Sequence, residues 1–211
     1  MIHTKEEWYK ALEERHGKEL QKAFSSAAVA VCGLGGLGSN IAMALARAGI
    51  GKLILFDFDR VDITNLHRQA YKVSQIGMYK TEALTDNLME ISPYISLEAH
   101  TERITEQNAR SLLSGADIIC EAFDDAECKA MLTEAVLTKM RDKYLVAASG
   151  MAGLDDANRI RTRKITSKFY LCGDGESDVS DGIGLVSSRV MVCAAHQAHT
   201  VLRILAKQFD V

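Results

Sequence analysis

An α/β fold built on a doubly wound, mostly parallel sheet is predicted by three features of this 211-residue sequence. Short apolar runs without alternation, the mark of strands covered on both faces, recur between stretches of helical composition. A glycine-rich turn, GLGGLG, joins the first of those runs to the helix after it. The stretch from Ala27 to Asp57 has the length of a β-α-β crossover, which implies parallel strands.

The elements follow in order. Thr4 and Glu7 form a capping-box pattern ahead of Trp8, Leu12 and Leu20, so residues 1–25 read as a helical segment before the core. Ala27 to Cys32 is the first strand, Gly33 to Gly38 the turn, and Ser39 or Asn40 the expected cap of a helix that stops at Gly49 and Gly51. Lys52 to Asp59 is the second buried strand. Gly77 to Ile91 reads as helix, ending before Pro93, the only proline, and Ile95 to His100 as a third strand. A helix near Glu106 to Leu113 precedes the strand Ala116 to Phe123. Asp125 to Met140 reads as helix and Tyr144 to Ser149 as strand. Beyond 153 the pattern changes. Arg159 to Leu171 suits one or two half-exposed antiparallel strands, residues 173–184 (GDGESDVSDGIG) a mobile loop, and Leu185 to Phe209 a closing helix.

The length favours a single domain, 1–211, with a core over 27–153 and an extension over 154–211. Hydrophobic residues make up 47% and charged residues 25%, which is ordinary globular usage and excludes disorder. The 25 Lys+Arg against 28 Asp+Glu leave a net charge of −3, so no basic field exists to attract long nucleic acid. No window approaches the ~20 apolar residues of a membrane span. The first twenty residues carry acids and bases throughout rather than a signal core, so a cytoplasmic chain is expected. The five cysteines are odd in number and include no C-x-x-C, which argues against a disulfide framework and structural zinc.

The chemistry gathers at the carboxyl ends of the strands, where ligands of open α/β sheets bind. Gly33, Gly35, Gly36 and Gly38 allow a tight turn and the approach of backbone N–H groups to a phosphate at the positive end of a helix. Asp57, about 20 residues further on, stands where an acid accepts hydrogen bonds from ribose hydroxyls. These features serve NAD and ATP alike. Arg68, a planar fork, and Lys80, a compact ammonium, bring the positive charge that a triphosphate needs, and Asn65 can donate its amide to a phosphate or fix the loop. A carboxylate facing phosphates calls for a cation between them, so Asp124 is the candidate magnesium holder. Asp124 and Asp125 also stand where a helix cap is wanted. His196 and His199, at i and i+3, have no evident third metal ligand, and Cys32, Cys120 and Cys193 lie in apolar runs as packed small hydrophobes.

In this order GLGGLGSN, LARAGIGKLILFDFDRVDITNLHRQ, Gly77 with Lys80, EAFDD and ASGMAG, followed by RVMVCAAHQA, resemble the ThiF/MoeB group of ubiquitin-activating-like adenylyltransferases, and in particular its compact ThiF-like branch. The resemblance implies a Rossmann-like fold and ATP-dependent adenylylation of the C-terminal Gly-Gly carboxylate of a ubiquitin-like, ThiS-like sulfur carrier, in thiamine thiazole biosynthesis. It implies Mg-ATP as cofactor, a homodimer, and site roles for Gly36, Asp57, Asn65, Arg68, Lys80 and Asp124. Relatives also supply an arginine from the N-terminal segment, for which Arg15 is the nearest candidate, and some use a cysteine near the mobile loop, for which Cys172 is. The zinc-binding cysteine pairs of many relatives are missing, so no zinc is expected. Three rivals stand beside this expectation. They are adenylation of another carrier, peptide or RNA carboxylate, a non-catalytic ATP-binding module, and an NAD-dependent oxidoreductase, for which no proton donor is evident.

Overall fold

The computed structural model describes residues 4–210; residues 1–3 and 211 of the expected span lie outside the described residues. Helices α1 (Lys5–His16) and α2 (Lys18–Ser26) lead into β1 (Ala28–Cys32), α3 (Gly36–Arg47) and β2 (Lys52–Phe56). Then follow α4 (Lys80–Ile91), β3 (Ser96–His100), the short α5 (Ala109–Leu112), β4 (Ile118–Glu121), α6 (Ala126–Lys139) and β5 (Tyr144–Ala148). The chain closes with β6 (Arg161–Lys164), β7 (Phe169–Gly173) and α7 (Ser187–Leu205).

Among the described residues seven strands form one sheet in the order β3-β2-β1-β4-β5-β7-β6. The order 3-2-1-4-5 is that of a doubly wound nucleotide-binding sheet, and its switch point falls between β1 and β4. All pairings are parallel except β6 with β7. The apolar runs lack alternation because both faces are covered. Val29 and Val31 pack with α3, α4 and α7 on one face, while Ala30 and Cys32 pack with α5 and α6 on the other. Burying each such Val or Leu contributes about 1.5–3 kcal/mol. Among the described residues no helix is long and apolar enough to cross a membrane.

The structure departs from the sequence reading at several places, among them the helix expected over Glu106 to Leu113, of which only Ala109–Leu112 is helical, and the one expected from Gly77, which starts at Lys80. The N-terminal segment is two helices: Gly17, at φ +85°, ends α1 by donating its N–H to Glu13 O and opens α2. Helix α3 starts four or five residues early, at Gly36, so Ser39 and Asn40 lie inside it and donate back to Gly35 O and Gly36 O instead of capping. Strand β2 stops at Phe56 and leaves both Asp57 and Asp59 in the loop. Of the two C-terminal strands only β6 is antiparallel and exposed. β7 inserts between β5 and β6 with Tyr170 and Cys172 buried, because α7 covers it from one face.

Candidate functional site

A cavity of about 1010 Å³ opens at the carboxyl ends of β1, β2, β4 and β5. That places it at the upper end of the usual range for ligand sites. Its back wall is the glycine turn. Gly33 sits at φ +91°, and a Cβ there would meet Ala122 O at 2.8 Å; a Cβ on Gly38 would lie 1.8 Å from Gly33 O. No side chain caps the first turn of α3, and Gly35, Gly36 and Leu37 line the cavity. An anion there meets open N–H groups and the positive end of the helix dipole.

Two side chains grip the turn at Leu34. Asp57 Oδ2 accepts the Leu34 N–H at 2.7 Å, and the Tyr71 hydroxyl donates to Leu34 O at 2.7 Å. Burial, with Asp57 and Asp59 close by, pushes the Tyr71 phenol well up, so it stays a protonated donor. Asp57 Oδ1 accepts the Asp59 N–H at 2.8 Å, so the carboxylate expected to face a ribose is buried and engaged with backbone. Asp59 carries the open carboxylate. It is 52% exposed, lines the cavity, and receives Lys80 Nζ at 2.8 Å, while Asp57 Oδ2 lies 3.9 Å from the same ammonium. The sequence reading passed over both Tyr71 and Asp59. The second acid of D-F-D is the available signal, hidden because Phe58 carries the apolar pattern past the end of β2 at Phe56.

The segment from Ile63 to Ala70 holds the cations. Asn65 Oδ1 accepts from Arg68 Nη2 at 3.1 Å and from Gln69 Nε2 at 2.9 Å, so Asn65 orients its own loop. Asn40 Nδ2 donates to Arg68 O, and Ser39 Oγ accepts the Ala70 N–H, which clasps this loop onto α3. The stem of Arg68 lies over Gly36, where a Cβ would meet Arg68 Cγ at 3.3 Å. Arg68 Nε is buried and has no partner among the described residues. An orphaned guanidinium donor costs free energy until an acceptor arrives, and a phosphate oxygen is such an acceptor.

At the end of β4 the two aspartates separate. Asp125 caps α6 by accepting the Cys128 N–H at 2.8 Å, and that bond holds its carboxyl below the usual range. Asp124 is exposed, lines the cavity and has no hydrogen-bond or ion-pair partner among the described residues. One open carboxylate beside a phosphate site fits magnesium, which takes one or two carboxylates plus substrate oxygens. Behind Asp124, Lys129 Nζ donates to both oxygens of buried Glu121 at 3.1 Å and to Ala148 O at 3.2 Å, joining β4, α6 and β5. Burial pushes the Glu121 carboxyl up against the pull of Lys129.

Other expected residues are not brought here. Arg15 is exposed in the last turn of α1 and does not line the cavity of its own chain. Cys172 is fully buried in β7 beside the hydroxyls of Thr162 and Thr200, and burial pushes its thiol up. It is neither accessible nor a thiolate, so the covalent role is corrected. Cys32, Cys120 and Cys193 are buried in the core as expected. His196 pairs with Thr162 Oγ1 at 3.1 Å, its imidazole pushed down by burial. Among the described residues it joins no cluster able to hold a metal.

Comparison with known proteins gives a consistent picture. The model of the ThiF family matches residues 9–210. Adenylyltransferase and sulfurtransferase uba4 of Pyricularia oryzae is 32% identical over 148 residues, 65% of this chain and 30% of that protein. Ubiquitin-like modifier-activating enzyme 5 of Caenorhabditis briggsae is 49% identical over 118 residues, 51% of this chain and 27% of that protein. The chain thus spans under a third of the length of these curated relatives. Among solved structures, Escherichia coli tRNA N6-threonylcarbamoyladenosine dehydratase, TcdA, in complex with AMP, superposes with a TM-score of 0.86 at 22% identity, covering 99% of this chain and 98% of that one. The same enzyme was also solved with ATP. These structures share the fold.

Proposed function

Because this chain belongs to the ThiF family, we propose that it is a nucleotidyltransferase that adenylates the C-terminal carboxylate of a ubiquitin-like carrier protein. A carboxylate oxygen forms a bond to the α-phosphorus of ATP, the bond from that phosphorus to the bridging oxygen breaks, and pyrophosphate leaves with its electrons. A terminal carboxylate titrates near pH 3.5, so the nucleophile arrives ionised and no general base is needed. Catalysis then reduces to alignment and charge stabilisation.

The residues divide that work. The glycine turn and the start of α3 receive phosphate oxygens, with Asp57 and Tyr71 fixing the turn. Asp59 takes the ribose role first expected of Asp57. Lys80 bridges the acids and the phosphates, and Arg68, held by Asn65, donates to oxygens that gain charge as pyrophosphate departs. Asp124 is the residue to hold magnesium, which on binding neutralises triphosphate charge. The observation that carries the reading is a single cavity that collects Arg68 Nε and Asp124, both without a partner among the described residues, together with Lys80 around a glycine turn that no side chain caps.

The finer reading is a ThiS-like sulfur carrier ending in Gly-Gly, used for the thiazole of thiamine in the cytoplasm. The resemblance to the compact branch supports it, as do relatives named as adenylyltransferase and sulfurtransferase. A homodimer is part of the proposal, with the partner copy supplying the arginine that Arg15 does not bring to its own cavity. A second reading, activation of a carboxylate on a modified tRNA nucleoside, draws on the likeness to TcdA over the whole chain.

Carrier-dependent exchange of labelled pyrophosphate into ATP tests the proposal, with tRNA as the rival stimulant. Arg68→Ala and Asp124→Ala are each expected to lower exchange at least ~10²-fold, the effect of removing one transition-state charge partner. Exchange indifferent to both changes refutes the assigned roles.

A further inference from the structure

Between α4 and the loop that carries Arg68 lies a pair of buried amides, neither of which lines the large cavity. Gln75 is 6% and Asn87 4% exposed. Gln75 Nε2 donates to Asn87 Oδ1, and Asn87 Nδ2 donates to Gln75 Oε1, each at 3.0 Å. Their remaining bonds reach backbone. Gln75 Nε2 donates to Ala83 O of α4 at 2.9 Å, and Gln75 Oε1 accepts the Lys72 N–H at 3.0 Å. Asn87 Nδ2 donates to Ala70 O at 2.9 Å. Neither amide can turn over, because Ala70 O needs a donor and the Lys72 N–H an acceptor.

Two buried amides are costly to desolvate, and their value lies in the single geometry that a fully paired network imposes. What this one fixes is Ala70. Ser39 Oγ of α3 accepts the Ala70 N–H at 3.0 Å, so both peptide groups of this residue are pinned, one by each helix. Arg68 stands two residues before Ala70, and its own carbonyl is held by Asn40. Lys80 opens α4 seven residues before Asn87; both are buried, on one side of the helix and two turns apart. The helix that delivers one cation to the cavity thus also sets the position of the other.

Resting on the adenylation reading, we infer that Asn87, oriented by Gln75, is a positioning residue that fixes Arg68 relative to Lys80 on the triphosphate. A guanidinium that must meet oxygens gaining charge loses much of its effect when displaced by about 1 Å, so a clamp on its backbone acts on the rate. Asn87 itself meets neither nucleotide nor carboxylate and acts through Ala70.

A double-mutant cycle between Asn87→Ala and Arg68→Ala tests this. It is read as kcat for exchange of pyrophosphate into ATP, with a peptide ending Arg-Gly-Gly as the carboxylate, and as Kd for ATP, with adenosine as the control that lacks phosphates. Asn87→Ala is expected to lower kcat about tenfold and to weaken ATP about threefold, with adenosine unaffected. In the Arg68→Ala background the same change is expected to add less than about twofold to either loss. Losses that multiply across the two positions, or adenosine weakened as much as ATP, overturn the inference. If Asn87→Ala does not fold, Ser39→Ala, which frees the Ala70 N–H from the opposite side, carries the same expectations and is overturned by the same results. Exchange absent from the parent protein sinks the adenylation reading, and the ATP arm still decides the clamp. Exchange present with multiplying losses sinks the clamp alone.

Discussion

The large cavity and a smaller one of about 340 Å³ beside it, which share Ala152, Ser177 and Asp178 in their walls, use charge in opposite ways. In the larger one, charged groups are left open: among the described residues Arg68 Nε has no acceptor, Asp124 no partner, and Asp59 only Lys80. In the smaller one they are matched within the chain, Arg189 with Asp174 and Arg159 with Asp155 and Glu176. Open valences suit a ligand that brings several charges of its own, whereas paired ones tie the elements of the fold to each other. The first arrangement costs stability in the empty protein, and the second costs it when one partner of the buried pair is removed.

The sharpest test of that contrast is to break a matched pair. Arg189→Met leaves Asp174 buried without its cation and is expected to cost about 3–5 kcal/mol in urea unfolding, whereas Asp124→Ala is expected to stay within about 0.5 kcal/mol of the parent. Equal stability effects at the two positions erase the distinction. The same pair sets a pH dependence. The carboxyl of Asp174 is held below its unfolded value, so its contribution is present above about pH 3.9 and is lost as pH falls through the lower, folded value. Unfolding followed from pH 6 to pH 2 is expected to show a loss that Asp174→Asn lacks.

Smaller effects separate the two acids after β2. Asp57→Asn weakens the grip on Leu34 and is expected to cost about 1–3 kcal/mol of stability. Asp59→Asn keeps an oxygen able to accept from Lys80, so it is expected to cost less than about 1 kcal/mol of stability and to raise the KM for ATP. Tyr71→Phe removes one bond to Leu34 O and is expected to raise that KM about five- to tenfold. Identical behaviour of the two aspartate variants contradicts the division of labour. The smallest expected effect is Cys172→Ala, which leaves exchange intact, and alkylation of Cys172 is expected only once the protein unfolds.

The first cavity was the more legible of the two in the sequence, for a physical reason. Continuous apolar runs mark strands buried on both faces whatever covers them, and glycines at a strand-to-helix turn announce close backbone approach, so β1, the turn and β2 could be placed from local pattern. Local chemistry misled where one residue type serves two purposes. Ser39 and Asn40 suit a cap and a back-bond equally, and only the contact with Arg68 and Ala70, some thirty residues away, decides. Asp57 and Asp59 differ only in where β2 ends. The burial of Cys172 depends on α7, packed from far along the chain, and the second cavity draws its floor from Asp174 and Arg189 on separate elements. Neither leaves a local signature.

The most direct measurement is the fate of oxygen. A peptide ending Arg-Gly-Gly with both C-terminal carboxylate oxygens replaced by oxygen-18 is incubated with ATP, magnesium and the protein, and the activated acyl group is trapped with hydroxylamine. Attack on the α-phosphorus predicts one heavy oxygen in AMP and none in pyrophosphate. Label in orthophosphate with ADP as the product, or AMP without label, contradicts it.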